Sequence, residues 1–376
     1  MKLLINTASA YKGGSIQVAK SFIEECREFS EHDYYVVLGL SIAGLIRPET
    51  FPPNFDFFRI DYRPATRVFS LRSRLRFFSQ IEKTIRPDVV FTTSGPAYWR
   101  PEAPHLVGYN LPHYVYPESV FFSRLPAGKR LKWRLKGSLI RRAFTSEADA
   151  YVVQTEAVGL RVKKLLNTER VYVVSNTCGS HYFMKPVFPD RLPERTAGEF
   201  RLLTLSSWYA HKNLAIIRRI VEAMPPAWRE RIRFVLTLPH EDYIRNFPEG
   251  CREQIINVGP VPIEQGPSIY GECDAMFLPT LLECFSASYP EAMAMGKPIL
   301  TSDIDFARSI CREAALYFDP TDPRDIVEKI LDLASSAELQ ADMTARGAAR
   351  LEAFGTARSR AGEYLRICAE LAGLGQ

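Results

Sequence analysis

Glu283-Cys284-Phe285-Ser286-Ala287-Ser288-Tyr289-Pro290-Glu291-Ala292-Met293-Ala294-Met295-Gly296-Lys297-Pro298 is the stretch on which the reading of this chain turns. It follows Ala275-Met276-Phe277-Leu278, a short apolar run closed by Pro279-Thr280, which predicts a buried strand. Residues 287–295 then predict a helix, and Pro298-Ile299-Leu300-Thr301 the next strand. In such a strand–loop–helix unit the first N–H groups of the helix, near Phe285, Ser286 and Ala287, have no intrahelical partner. They carry roughly half a positive charge and suit a phosphate. Glu291, about a turn further on, is placed to hydrogen-bond the hydroxyls of a ribose attached to that phosphate. The spacing of Glu283 and Glu291 fits equally two solvated carboxylates flanking a structural turn, and by itself leaves both readings open.

The same grammar extends outward. Strands are expected at 201–205, 234–238 and 255–258, with a helix over 213–223. In the first half, Lys2-Leu3-Leu4-Ile5-Asn6 predicts a strand, Lys12-Gly13-Gly14-Ser15 a turn and 16–29 a helix. Further buried strands are expected at 34–40, 88–91, 105–109, 150–153 and around 171–176. Between the halves lies the proline-rich segment Lys185-Pro186-Val187-Phe188-Pro189-Asp190-Arg191-Leu192-Pro193, a linker signature. The fold class is therefore α/β, with two Rossmann-like doubly wound domains expected at 1–185 and 194–355 and facing each other across a cleft. A C-terminal helix, 356–376, is expected to pack back on one of them.

Composition narrows the class further. The 376 residues, 46% hydrophobic and 24% charged, exclude disorder, collagen and coiled coil. The longest nearly apolar run, 36–46, is well short of the about 20 residues of a membrane-spanning helix. The N-terminus does not read as a signal peptide. Seven cysteines without a C-x-x-C pair argue against a disulfide framework or zinc site. A cytoplasmic protein is expected. The formal charge of +5 divides unevenly, with 27 basic and 17 acidic residues in 1–190 and a net negative remainder.

The 283–298 stretch resembles the E-x7-E motif of retaining glycosyltransferase family 4 (glycosyl transferases group 1), with its trailing E-A-M-A-x-G-K-P segment. The likeness continues upstream through Gly259-Pro260-Val261, Tyr270 and Cys273–Pro279, and downstream through Ala314–Pro320. It implies a GT-B fold with the nucleotide-sugar donor on the C-terminal domain and the acceptor on the N-terminal one. Glu291 would then bind the donor ribose and Glu283 would lie beside the donor sugar. The amides of Phe285, Ser286 and Ala287 would meet sugar hydroxyls or phosphate. The family often has glycine where this chain has Cys284 and Ser286.

A second matching segment is Leu205-Ser206-Ser207-Trp208-Tyr209-Ala210-His211-Lys212-Asn213. Family members commonly place an arginine where Ser207 stands, so that two cations clamp the diphosphate. Here Lys212 supplies one point charge and His211 a hydrogen-bond donor. The loop Gly13-Gly14-Ser15 is implied to close over donor phosphates and acceptor site. Lacking G-x-G-x-x-G, it disfavours nicotinamide or flavin binding. His113 is implied to contact the donor sugar, whereas His105 reads as structural. Asp303-Ile304-Asp305 has the Asp-x-Asp form that metal-dependent transferases use, but follows the E-x7-E motif where the family is variable. Neither metal nor cofactor is expected beyond the nucleotide-sugar co-substrate. The resemblance implies a front-face mechanism in which the leaving diphosphate helps deprotonate the acceptor hydroxyl.

Eight basic residues and no acidic one occupy 124–142: Arg124, Lys129, Arg130, Lys132, Arg134, Lys136, Arg141 and Arg142. Trp133 and several leucines interleave them, predicting a basic amphipathic helix suited to anionic lipid headgroups. A solvated helix face remains the plain alternative. No recognition motif accompanies these charges, so nucleic acid is not an expected partner. A second concentration comprises Arg59, Arg63, Arg67, Arg72, Arg74 and Arg76. The expectation is a metal-independent retaining glycosyltransferase, peripheral at the inner face of the cytoplasmic membrane. It would act on a glycan or lipid-linked acceptor in bacterial surface polysaccharide synthesis. The alternatives are a nucleotide-sugar 2-epimerase of the same fold and a non-catalytic transferase-like subunit.

Overall fold

The computed structural model describes residues 1–11, 13–61, 71–185 and 188–374. Lys12, Arg63, Arg67, Pro186 and Val187, which figure in the sequence reading, lie outside them. The chain forms two compact units, one of residues 1–117, 125–176 and 356–376, the other of residues 118–124 and 177–355.

The first unit is built on a parallel sheet of seven strands, β1 (Lys2–Asn6), β2 (Asp33–Leu38), β3 (Phe55–Arg59), β4 (Val89–Thr92), β5 (His105–Gly108), β6 (Ala150–Val153) and β7 (Val171–Val173). Their order is β3-β2-β1-β4-β5-β6-β7. β4, β5 and β6 are buried at every position, as expected for strands covered on both faces by helices. The Gly14–Glu25 helix follows β1 after Gly13, whose φ of 56° is a left-handed conformation open to glycine at little cost.

β3 escapes an apolar-run reading because Asp56 and Arg59 interrupt Phe55, Phe57 and Phe58. It sits at the sheet edge, paired among the described residues only with β2, where such alternation is tolerated. The 36–46 run is a strand only to Leu38; beyond the turn, Ile42 and Ile46 still reach the core. The C-terminal helix Ala357–Leu371 belongs to this unit, with Ala361, Tyr364, Leu365, Ile367 and Cys368 in its main core. Tyr364 meets Phe22 edge-on, ring centroids 5.4 Å apart. Burial of Leu365 and of Ile367 contributes roughly 1.5–3 kcal/mol each.

The second unit has six parallel strands, β8 (Phe200–Thr204), β9 (Ile232–Leu236), β10 (Ile255–Asn257), β11 (Ala275–Leu278), β12 (Ile299–Ser302) and β13 (Leu316–Phe318), in the order β10-β9-β8-β11-β12-β13. The strand order reverses between β8 and β11. In open parallel sheets ligands gather at the carboxyl ends of the strands at such a switch point. The loops leaving β8 and β11 carry Ser207–Lys212 and Thr280–Ala287, so the topology alone brings the two motif segments side by side.

The passage between units falls at Asn176–Thr177, ahead of the proline-rich segment. Arg191, inside that segment, donates its backbone N–H to Glu272 and its guanidinium to Gln265, which fastens it to the second unit.

Candidate functional site

The site is clearest on the second unit. The helix after β11 runs over Ser288–Ala294, slightly shorter than its expected 287–295. Gly296, at φ 61°, ends it, and the Lys297 N–H returns to the Ala292 carbonyl at 2.8 Å. Tyr289, fully buried, exchanges a 2.7 Å hydrogen bond with Thr301 on β12 and fixes the helix on the sheet. Among the described residues no acceptor engages the backbone N–H groups of Phe285, Ser286 or Ala287.

The loop after β8 folds as a short 3-10 turn, Ala210–Lys212, instead of the first turn of a helix from 213; the helix itself spans Ile216–Ala223. The His211 carbonyl accepts the Leu281 N–H at 2.7 Å and the Thr280 hydroxyl at 3.1 Å, which locks the two loops together. Lys212 Nζ then donates to Glu283 Oε1 at 2.6 Å. Both partners are largely buried, with side chains 14% and 10% exposed. The lysine that the sequence placed on a phosphate and the glutamate that it placed beside the sugar therefore form one ion pair.

Glu291 is close enough to feel Lys212, and its carboxyl is pushed up to about 7 by burial, opposed by a hydrogen bond from Tyr182 and by the Lys212 charge. The His211 imidazole is held down at about 4, first by burial and then by the adjacent ammonium, so it is neutral at pH 7. Its ring stacks on Tyr209 at 5.5 Å. Cys284 is buried and its thiol is raised by burial and by Glu283, which suits an inert small apolar filler.

Of the predicted donor residues, Lys212, His211, Glu283, Glu291, Phe285, Ser286 and Ala287 come together here. Ser207 lies exposed on the β8 loop, its carbonyl accepting the Ser206 hydroxyl, with no bond to Lys212 or Glu283. Gly13, Gly14 and Ser15 begin a helix of the first unit, with open space where Cβ atoms of either glycine would stand. His113 is also in the first unit, stacked face to face on Trp133 at 4.6 Å. His105 is fully buried and bonded to Thr92 and to the Glu147 carbonyl.

Arg124 departs from its expected place. It precedes the Ala127–Glu147 helix and belongs to the second unit, where its guanidinium donates to Asn213 Oδ1 at 2.6 Å. Asn213 is in the left-handed region and also donates to the Pro320 carbonyl. Ser119 likewise donates to the Leu281 carbonyl at 2.9 Å. Arg124 thus braces the Lys212 loop and stands apart from the helical basic face. Lys129, Arg130, Lys132, Arg134 and Lys136 are exposed on that helix and Trp133 is half-buried. On the same helix Leu131, Leu135 and Leu139 are 58%, 62% and 71% exposed at i, i+4 and i+8. Asp303 is engaged by the Arg308 guanidinium, and among the described residues no three His, Cys, Asp or Glu side chains gather as a metal site.

A family model described as Glycosyl transferases group 1 matches residues 199–336, the whole of this loop system and its sheet. That match is confined to the second unit and covers 138 of the 376 residues. Over 194 residues the chain is 25% identical to the O-antigen chain mannosyltransferase B of Escherichia coli, a match covering 50% of this chain and 51% of that protein. The chain thus spans about half the length of this curated relative. Among solved structures it resembles a glycosyltransferase from Rickettsia africae ESF-5, with a TM-score of 0.71, 13% identity and 98% of each chain covered. It also resembles Anabaena Alr3699/HepE in complex with UDP-glucose, with a TM-score of 0.69, 13% identity and coverage of 98% of this chain and 100% of that one. With the two parallel sheets, these likenesses establish the two-domain GT-B fold.

Tyr182, Ser119, Asn213 and the bracing role of Arg124 were not legible beforehand. Their partners lie far away in sequence, and none sits in a motif.

Proposed function

We propose that the protein is a retaining glycosyltransferase that moves a sugar from a nucleoside-diphosphate sugar to a glycan or lipid-linked acceptor in bacterial surface polysaccharide synthesis. The observation that carries the proposal is the switch-point cluster. It combines a buried Lys212–Glu283 pair, three unengaged amides at Phe285–Ala287 and the adjacent carboxyl of Glu291. Amides and ammonium suit a diphosphate, and Glu291 suits ribose hydroxyls. The UDP-glucose held by the Anabaena relative and the O-antigen context of the Escherichia coli relative support the donor class and the pathway.

In this reading the donor C1–O bond breaks while the acceptor oxygen attacks from the same face, and its proton passes to the departing diphosphate. Lys212 and the amides stabilise the charge that develops there. The reaction as proposed uses no metal or further cofactor. Thermal-shift titration with UDP, GDP, ADP and CMP, followed by turnover with the matching sugar nucleotide, tests the proposal. Unchanged nucleotide binding and turnover in both Glu291→Ala and Lys212→Ala would sink it. Ser207, in place of the arginine common in the resembling family, favours one second reading, a transferase-like subunit active only with a partner. Turnover by the pure protein dismisses that reading.

The Ala127–Glu147 helix supports peripheral association with an anionic membrane surface. Its exposed leucines form one stripe, flanked by cations and, through residue 142, by no acid. No helix among the described residues is long and apolar enough to cross a membrane.

A further inference from the structure

The two loops of the donor cluster are tied together by a short segment that lies outside both motif stretches. Residues 118–124 run between parts of the first unit in the chain, yet by their contacts they belong to the second. Within them Val120–Ser123 forms one helical turn, capped by the Ser119 hydroxyl, which accepts the Phe121 N–H at 3.2 Å. Phe121, buried, anchors the turn. The same hydroxyl donates to the Leu281 carbonyl at 2.9 Å, in the loop that leads to Glu283. Leu281 in turn donates its N–H to the His211 carbonyl at 2.7 Å. At the other end of the turn the Arg124 guanidinium donates to Asn213 Oδ1 at 2.6 Å, and Asn213 Nδ2 donates to the Pro320 carbonyl at 2.9 Å.

These bonds close a ring. It runs from Arg124 to Asn213, along the chain to His211, across to Leu281 and back through Ser119 to the turn that ends at Arg124. Lys212 is the residue between the two held points, so its backbone is fixed from both sides. Asn213 is buried and left-handed at φ 57°, a conformation that asparagine tolerates better than most residues, and both polar atoms of its side chain are bonded.

We propose that Arg124, acting through Asn213, is a positioning residue that holds Lys212 where it meets the terminal phosphate of the donor nucleotide, and so sets a preference for a nucleoside diphosphate over the monophosphate. This rests on the reading of Lys212 as the diphosphate ligand. A lysine whose backbone is already fixed loses less freedom when a phosphate captures its ammonium. The monophosphate lacks that phosphate and gains nothing from the arrangement.

The experiment is calorimetric titration of the full chain with whichever of UDP, GDP and ADP gives the largest thermal shift, and with the matching monophosphate. Wild type, Arg124→Ala, Arg124→Lys, Asn213→Gly, the Arg124→Ala/Asn213→Gly double variant and Lys212→Ala are compared. Arg124→Ala is expected to bind the diphosphate about fivefold more weakly and the monophosphate within about twofold of wild type. Arg124→Lys, which keeps a charged donor, is expected to recover most of that loss. Asn213→Gly keeps the left-handed backbone while removing the link, so it should match Arg124→Ala, and the double variant should lose no more than either. Equal weakening of both nucleotides, no weakening, or additive losses in the double variant would overturn the proposal. So would a loss in Arg124→Ala that Asn213→Gly does not share, since the effect would then belong to the charge alone. An unchanged preference in Lys212→Ala, or no binding of any of the three diphosphates, would instead overturn the reading of Lys212 on which it rests.

Discussion

Removal of the Lys212 ammonium while its stem is kept, as in Lys212→Met, leaves the Glu283 carboxylate stranded. The carboxylate lies 2.6 Å from its partner, with 10% of the side chain exposed. Loss of one member of a buried pair costs about 3–5 kcal/mol, because the desolvation penalty of the survivor is no longer offset. In a domain of this size each kcal/mol moves the midpoint by about 2–4 °C, so Lys212→Met is expected to melt about 10 °C below wild type. Glu283→Gln is expected to fall comparably. The double variant removes both charges and both penalties, and should melt within about 4 °C of wild type, a coupling of about 4–8 kcal/mol. Scanning calorimetry of the four proteins at pH 7.5 measures the cycle. Additive losses, or a Lys212→Met shift below about 2 °C, would show that the pair is open to water and would refute the reasoning. Turnover separates the pair's structural work from its chemistry. The double variant should recover stability but stay about 10²–10³-fold slower, since no cation then meets the leaving diphosphate.

Further outcomes are expected. Burial holds the Glu291 carboxyl at about 7, above its ordinary value, so the folded state binds the extra proton between about 4.5 and 7 and stability is lost as pH rises through that window. Glu291→Gln should therefore stabilise the unliganded protein by about 1–3 kcal/mol at pH 8 while losing nucleotide affinity, as chemical denaturation and titration would show. His105 is the opposite case: burial lowers it to about 4, so the unfolded chain takes up a proton as pH falls below about 6.5. Up to about 3 kcal/mol of stability should be lost between pH 6.5 and 4, and in His105→Gln that acid limb should flatten. Cosedimentation with phosphatidylglycerol vesicles should be lost in Lys129→Glu/Arg130→Glu/Lys132→Glu/Arg134→Glu and weakened in Leu131→Ser/Leu135→Ser/Leu139→Ser. Equal partitioning of all three proteins would reduce the helix to a solvated face.

Much of the architecture follows from runs of a few apolar residues. β1, β5, β6 and β11 are legible because strands covered on both faces are mostly apolar. β3 is not, since an edge strand alternates, and the Lys212 segment is not, since Asn213 adopts a left-handed turn that postpones the helix to Ile216. The basic helix is legible in its charge, but its outward leucine stripe is not, because periodicity alone does not say which face meets the core. Arg124 illustrates the same limit: its charge suggested the basic face, whereas the chain path places it on Asn213.

The sequence by itself determined the two doubly wound halves and the residue types of the loop proposed to bind phosphate and sugar, because local hydrophobic period and helix-terminus chemistry are written in consecutive residues. Only the tertiary structure decided that Lys212 and Glu283, 71 residues apart, form an ion pair in a largely buried site. It alone decided that Glu291 is faced by a tyrosine 109 residues upstream. Burial and long-range pairing set the charge state of those groups, and both depend on which strands lie side by side at the switch point, which no stretch of the chain carries by itself.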